Sequence, residues 1–119
     1  MRLPCALTLV MTLACGTLQA QAAEQRCGWI QNPTPSNWWL VDKQATWIMM
    51  TQGGSEPAGF DHVPDISTKD YVRQNGNYGY ACACLNGDFD KASSKMTRLY
   101  AFRQLPLKTC RNDRSLPKP

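Results

Sequence analysis

The chain has 119 residues, a formal net charge of +4 and six cysteines, which leaves room for one domain and excludes a multi-domain architecture. Charge is unevenly placed: residues 23–90 carry four Lys/Arg against eight Asp/Glu, and residues 91–119 carry eight against one. Lys91, Lys95, Arg98, Arg103, Lys108, Arg111, Arg114 and Lys118 are spaced apart rather than blocked, the pattern of a solvated face with a loose tail. No DNA- or RNA-reading motif accompanies them, and nucleic acid is not an expected partner.

Residues 1–22 read as a cleavable export signal. Arg2 gives a positive start, Leu3 to Ala14 is almost wholly apolar, and Ala20-Gln21-Ala22 is a small-x-small cleavage pattern. The run is shorter than the roughly 20 residues a membrane-spanning helix needs, and no transmembrane segment is expected. Leu13-Ala14-Cys15-Gly16 also resembles the end of a lipobox, but Thr12 stands where that motif wants an aliphatic residue. A lipoprotein through Cys15 is therefore the minor alternative to a free periplasmic or secreted protein. Residues 23–119 form the single mature domain, ending in a polar basic tail.

A domain of that size buries only about 60 to 65 % of its unfolded surface, so covalent staples are a common remedy. Along it, Gln31 to Ser36, with Pro33 and Pro35, is a turn or extended connector. Asn37 to Gln52 reads as a hairpin broken at Asp42-Lys43-Gln44, with Trp39 and Val41 on one face and Trp38 and Leu40 on the other. Residues 53–68 form a long loop, the first place to seek a binding surface. Asn75-Gly76 predicts a type I′ hairpin pairing Arg73 with Tyr78 and Tyr71 with Tyr80. Tyr71, Arg73, Tyr78, Tyr80, Cys82 and Cys84 would then share one face. Val72, Gly79, Ala81 and Ala83 would form a small-residue face suited to close packing. A further turn is expected within 86–95, from Asn86-Gly87 and the polar run after it. Met96 to Gln104 reads as a strand, although Ala92, Met96, Leu99 and Arg103 also fit a helical stripe. The fold class is mainly β: a small single-domain antiparallel sheet built from hairpins and stapled by two disulfides.

The staples are Cys27, Cys82, Cys84 and Cys110, an even number in an oxidising compartment. Cys82 and Cys84 lie about 6.5 to 7 Å apart on one face of a strand, with parallel Cβ vectors, and should not bond to each other. Each is expected to reach one end of the chain. Sequence does not separate the two pairings, and the leaning is to Cys27 with Cys82 and Cys84 with Cys110.

No cofactor or metal is expected, because a one-residue spacer and two distant single cysteines do not make a zinc site. A thioredoxin-type pair would need two intervening residues. His62, the only histidine, lies between Asp61 and Val63, near Asp65, and could serve a small hydrolase as general base. No nucleophile motif accompanies it, and no enzymatic activity is expected. The candidate binding residues are Trp38, Trp39, Phe60, Asp61, His62, Asp65, Tyr71 and Arg73. They combine a long loop with aromatic rings that suit a protein partner or a sugar and a cation able to stack on them.

Several of these stretches occur together: Cys27-Gly28-Trp29, Asn32-Pro33-Thr34-Pro35 with Trp39-Leu40, Asn75-Gly76-x-Tyr78-Gly79-Tyr80-x-Cys82-x-Cys84-Leu85, and Pro106-Leu107-x-x-Cys110-Arg111. The combination resembles a family of small exported bacterial proteins known only as a domain of unknown function. Ala81 departs from it, where a second glycine would be expected. The resemblance implies a bacterial envelope setting and carries no activity or catalytic residues. The resulting expectation is an exported, non-enzymatic binding protein of inhibitor, immunity or accessory type. Its partner would be another protein in the envelope or outside the cell, with a glycan as the alternative ligand.

Overall fold

A computed structural model describes Met11, residues 13–16 and residues 23–119. The export signal expected over residues 1–22 lies largely outside the described residues. Six strands follow: β1 (Glu24–Thr34), β2 (Asn37–Val41), β3 (Thr46–Met50), β4 (Tyr71–Asn75), β5 (Tyr78–Asp90) and β6 (Lys95–Leu105), then a short helix α1 (Leu107–Arg111). The sheet order is β1-β2-β3-β6-β5-β4, and β1 also pairs with β5. That extra pairing rolls the sheet back on itself into a small barrel, with β4 beside the start of β5. All ladders are antiparallel except one parallel contact, Ile48 with Lys95, between β3 and β6.

Residues alternate between the two faces of a strand, so β5 sorts its side chains by face. Ala81, Ala83, Leu85 and Phe89 point into the barrel, against Ile30, Leu40, Trp47, Met49, Met96 and Leu99. Ala81 and Ala83 are fully buried, which is the small face anticipated from sequence: the interior is narrow there and widens towards Leu85 and Phe89. On the outer face Cys82 packs with Trp29 and Cys110 beneath Val41, Tyr80, Leu105, Leu107 and Leu116. The Trp29 indole N–H donates to the Pro117 carbonyl at 3.0 Å. The end of the chain, expected to be loose, is thus docked across β1.

The disulfides are Cys27–Cys84 and Cys82–Cys110. The two neighbours on β5 do anchor opposite ends of the domain, as expected, but in the pairing opposite to the one favoured. The β1–β5 register is the reason, since it sets Cys27 directly across from Cys84 and places Trp29, not a cysteine, across from Cys82. Closing loops of 57 and 28 residues is worth about 4 and 3.5 kcal/mol respectively in the chain-entropy picture.

Three further expectations change. The β4–β5 turn is made by Gly76-Asn77, so Tyr71 pairs with Ala81, Arg73 with Gly79 and Asn75 with Tyr78. A type I′ turn over Asn75-Gly76 needs positive φ at both residues, but only Gly76 takes it, at 58°. The one-residue slip moves Tyr71 and Arg73 to the opposite face. Asn86-Gly87 is no turn; β5 runs through it with an irregularity, and the chain reverses over 91–94. Finally, β6 is a strand whose buried residues Met96 and Leu99 and half-buried Phe102 recur every three positions. Their partners Phe89, Gly87 and Leu85 recur every two, and Thr97 and Tyr100 are the extra residues. Two β-bulges therefore produce the spacing that imitates a helical stripe.

The long loop fills the gap between β3 and β6. It holds two single 3₁₀ turns, Phe60–His62 and Ile66–Thr68, and Ala58 bridges Arg98. Gly59 permits this approach: its φ is 80° and a Cβ there would stand 1.9 Å from the Leu99 carbonyl oxygen. Leu85, with no exposed surface, reports directly on barrel packing. Leu85→Ala is expected to lower unfolding free energy by about 3 kcal/mol in urea denaturation. Exposed Thr97→Ala should stay within about 0.5 kcal/mol, and equal effects would contradict this core.

Candidate functional site

Asn32, Trp38, Pro64, Asp65, Ile66, Ser67, Tyr71, Asn77 and Tyr78 surround a cleft of about 200 Å³. Four segments converge here: the end of β1, the start of β2, the loop after Phe60, and the β4–β5 turn. Of the residues singled out from sequence, Trp38, Asp65 and Tyr71 line the cleft. Phe60 stands behind it, its ring edge-on to Trp38 with centroids 5.6 Å apart. Arg73 lies over the Tyr71 ring at 5.6 Å and donates to the Asn77 side chain at 3.2 Å and to the Ser67 carbonyl at 3.4 Å. It fastens the hairpin to the loop.

Trp39, Asp61 and His62 are not brought in. Trp39 is half-buried on the other face of β2, its indole N–H donating to Gln31 Oε1 at 2.6 Å. Asp61 and His62 are exposed on the first 3₁₀ turn. Among the described residues no group of three or more His, Cys, Asp or Glu side chains comes together.

The cleft is pre-shaped by its own hydrogen bonds. Asn32 Nδ2 donates to the carbonyls of Thr34 and Asn37, fixing the β1–β2 turn. The Tyr71 hydroxyl donates to the Asn77 carbonyl at 2.8 Å, and burial pushes its pKa up. Asp65 Oδ1 accepts from the Ser67 hydroxyl at 2.6 Å and the Ser67 N–H at 3.0 Å. Those two bonds, helped by the Arg73 charge, hold the carboxyl below its usual range. Gln104 on β6 reaches under the loop, donating to the carbonyls of Ile66, Lys69 and Asp70. Asn32, Asn77, Tyr78 and Gln104 are not among the residues singled out for binding, because only the folded topology makes them neighbours of the loop.

The opposite end of the barrel is closed by Arg26, about 20 Å along β1 from Asn32 at the strand's rise of about 3.3 Å per residue. Its guanidinium stands 4.1 Å from the Trp47 ring centroid and 5.1 Å from that of Phe89. It pairs with Asp42 at 2.9 Å and Glu24 at 2.6 Å, and donates to Gln44 Oε1 at 2.6 Å. A polar cleft of about 430 Å³, also lined by Cys27, Lys43, Lys91 and Asp113, opens beside it. The charges are matched locally, so this is a plug rather than an anion site. Burial pushes the Asp42 carboxyl up, but the N–H groups of Ala45 and Gln44 and the Arg26 guanidinium outweigh it.

Because its folded pKa lies below its ordinary value, Asp42 stabilises the fold fully above that value, 3.8. The contribution is lost as pH falls through the folded pKa. Asp42→Asn is expected to cost about 3 kcal/mol at pH 7, since one partner of a buried pair loses its charge. It should also flatten the acid limb of a stability–pH profile. An unchanged acid limb in the variant would show that Asp42 does not carry it.

No curated protein matches the chain, and no solved structure matches it. A family model described as protein of unknown function (DUF4087) matches residues 21–117. The chain therefore belongs to that family.

Proposed function

We propose that this is an exported, non-enzymatic binding protein of the bacterial envelope, and that its ligand seats in the cleft between Trp38, Tyr71 and Tyr78. The observation that carries this reading is the convergence of three aromatic residues with Asp65, Asn32 and Asn77 in a cleft held by internal hydrogen bonds. Binding sites pair aromatic and apolar walls with a few fixed polar groups, and a preorganised cleft lowers the ordering cost of binding. Two disulfides and the apolar Leu3–Ala14 run support an oxidising destination outside the cytoplasm. The leading ligand is a side chain or turn of another protein, received at the aromatic rim.

A glycan is the second reading, favoured by ring surfaces set beside Asp65, whose Oδ1 alone holds the Ser67 bonds. The two separate in solution. A sugar should give a saturable change in tryptophan emission on titration with soluble cell-wall fragments, through Trp38. A protein partner should leave those fragments without effect and be retained on the immobilised protein from envelope extract. Tyr78 lies outside both packed clusters, so Tyr78→Ala should fold normally. Loss of a central aromatic anchor is worth about 2 kcal/mol, a roughly 30-fold weaker complex. Unaltered affinity of Tyr78→Ala for whichever ligand is retained would remove the cleft from consideration.

A further inference from the structure

The two disulfides differ in exposure, in Cα separation and in what they fasten. Cys82 and Cys110 are 0 % and 3 % exposed and lie under the Trp29–Leu116 cover. Cys27 is exposed, and Cys84 is 7 % exposed. The Cα atoms of Cys82 and Cys110 stand 5.8 Å apart, whereas those of Cys27 and Cys84 are 4.0 Å apart, below the usual span of about 4.4 to 6.8 Å. Cys82–Cys110 also fastens α1, but Cys27–Cys84 joins two strands already paired from Glu24 with Gly87 to Asn32 with Gly79. Opening it leaves that ladder in place.

The surroundings of the exposed bond are asymmetric. Cys27 lines the cleft of about 430 Å³ that also presents Lys43 and Lys91. Cys84 lines a second one, of about 260 Å³, together with Gln25 and Arg103, and Arg103 is its direct cross-strand partner on β6. Lys43 and Lys91 at the first cleft are offset by Glu24, Asp42 and Asp113, whereas an arginine beside Cys84 favours a departing thiolate.

We propose that Cys27–Cys84 is a site of reversible thiol–disulfide exchange with an external dithiol, distinct from the structural bond Cys82–Cys110. One thiolate of the dithiol attacks Cys27 Sγ, the S–S bond breaks, and its electron pair leaves on Cys84 Sγ beside Arg103. The second thiol of the reagent then attacks the mixed disulfide and releases Cys27 as a thiolate. The dithiol is oxidised to its disulfide, the protein takes up two electrons, and the two thiol protons pass to Cys27 and Cys84. Exposed bonds of unusual geometry are the reducible ones, and buried bonds resist.

The test is a dithiothreitol titration of the folded protein at neutral pH, with acid quenching, alkylation and peptide mapping. Cys27 and Cys84 are expected to become alkylated at about tenfold lower reductant than Cys82 and Cys110, with the far-ultraviolet circular dichroism unchanged at that point. Arg103→Gln should slow opening of Cys27–Cys84 about threefold, because a leaving thiol of higher pKa departs more slowly, and should leave Cys82–Cys110 unaffected. Opening of both bonds together, earlier opening of Cys82–Cys110, or loss of secondary structure with the first bond would overturn the assignment. An Arg103→Gln rate equal to that of the parent would reject Cys84 as the leaving sulfur.

Discussion

Strand β5 must satisfy two packing problems at once, because its side chains alternate between the inside of the barrel and the outside. Inward, Ala81 and Ala83 keep the interior narrow where the neighbouring strands close in, and Leu85 and Phe89 fill it where it widens. Outward, Cys82 and Cys84 fasten the helix end and the β1 end of the domain. A slip of one residue would turn the cysteines into the core and the alanines to the surface. Both disulfides therefore depend on the same register as the core, and together they defend it against slippage.

The barrel so formed has two unlike ends. At one, Arg26 lies against Trp47 and Phe89 and is neutralised by Asp42 and Glu24, so a buried cation is held by both ring faces and carboxylates. Such a plug fixes orientation more than it adds net stability. At the other end, beside the narrow part of the interior at Ala81, a loop rather than a charge closes the barrel. Ile66 is buried there, Trp38 and Tyr71 are only half-covered, and Arg73 and Gln104 hold the loop in position. The half-covered aromatic residues are the consequence of a barrel too small to bury them all.

Much of this was legible in the sequence. Alternation over Tyr80 to Leu85 fixed which residues share a face, and the break at Asp42-Lys43-Gln44 located a hairpin whose turn Asp42 caps through Gln44 and Ala45. Of the eight residues nominated for binding, Trp38, Asp65 and Tyr71 line one cleft, while Trp39, Asp61 and His62 lie away from it. What failed to show follows from non-local geometry. The disulfide pairing depends on the β1–β5 register, which sets Cys27 against Cys84 across a separation of 57 residues and has no local signature. The helical stripe Ala92, Met96, Leu99 and Arg103 competes with a strand because two bulges set the buried Met96 and Leu99 three residues apart. Asn75-Gly76 carries the strongest turn dipeptide, yet the turn sits one residue later because a single glycine supplies the positive φ. Arg26 is a charged residue on an inward face, and two of its partners, Asp42 and Gln44, lie in a turn sixteen and eighteen residues away.

The most direct measurement is peptide mapping of the unreduced protein by mass spectrometry, under acidic digestion that prevents reshuffling. The barrel described here requires linked peptides joining Cys27 to Cys84 and Cys82 to Cys110. Linkage of Cys27 to Cys82, a bond between Cys82 and Cys84, or free thiols at β5 would contradict the strand register on which the core and both ends of the barrel rest.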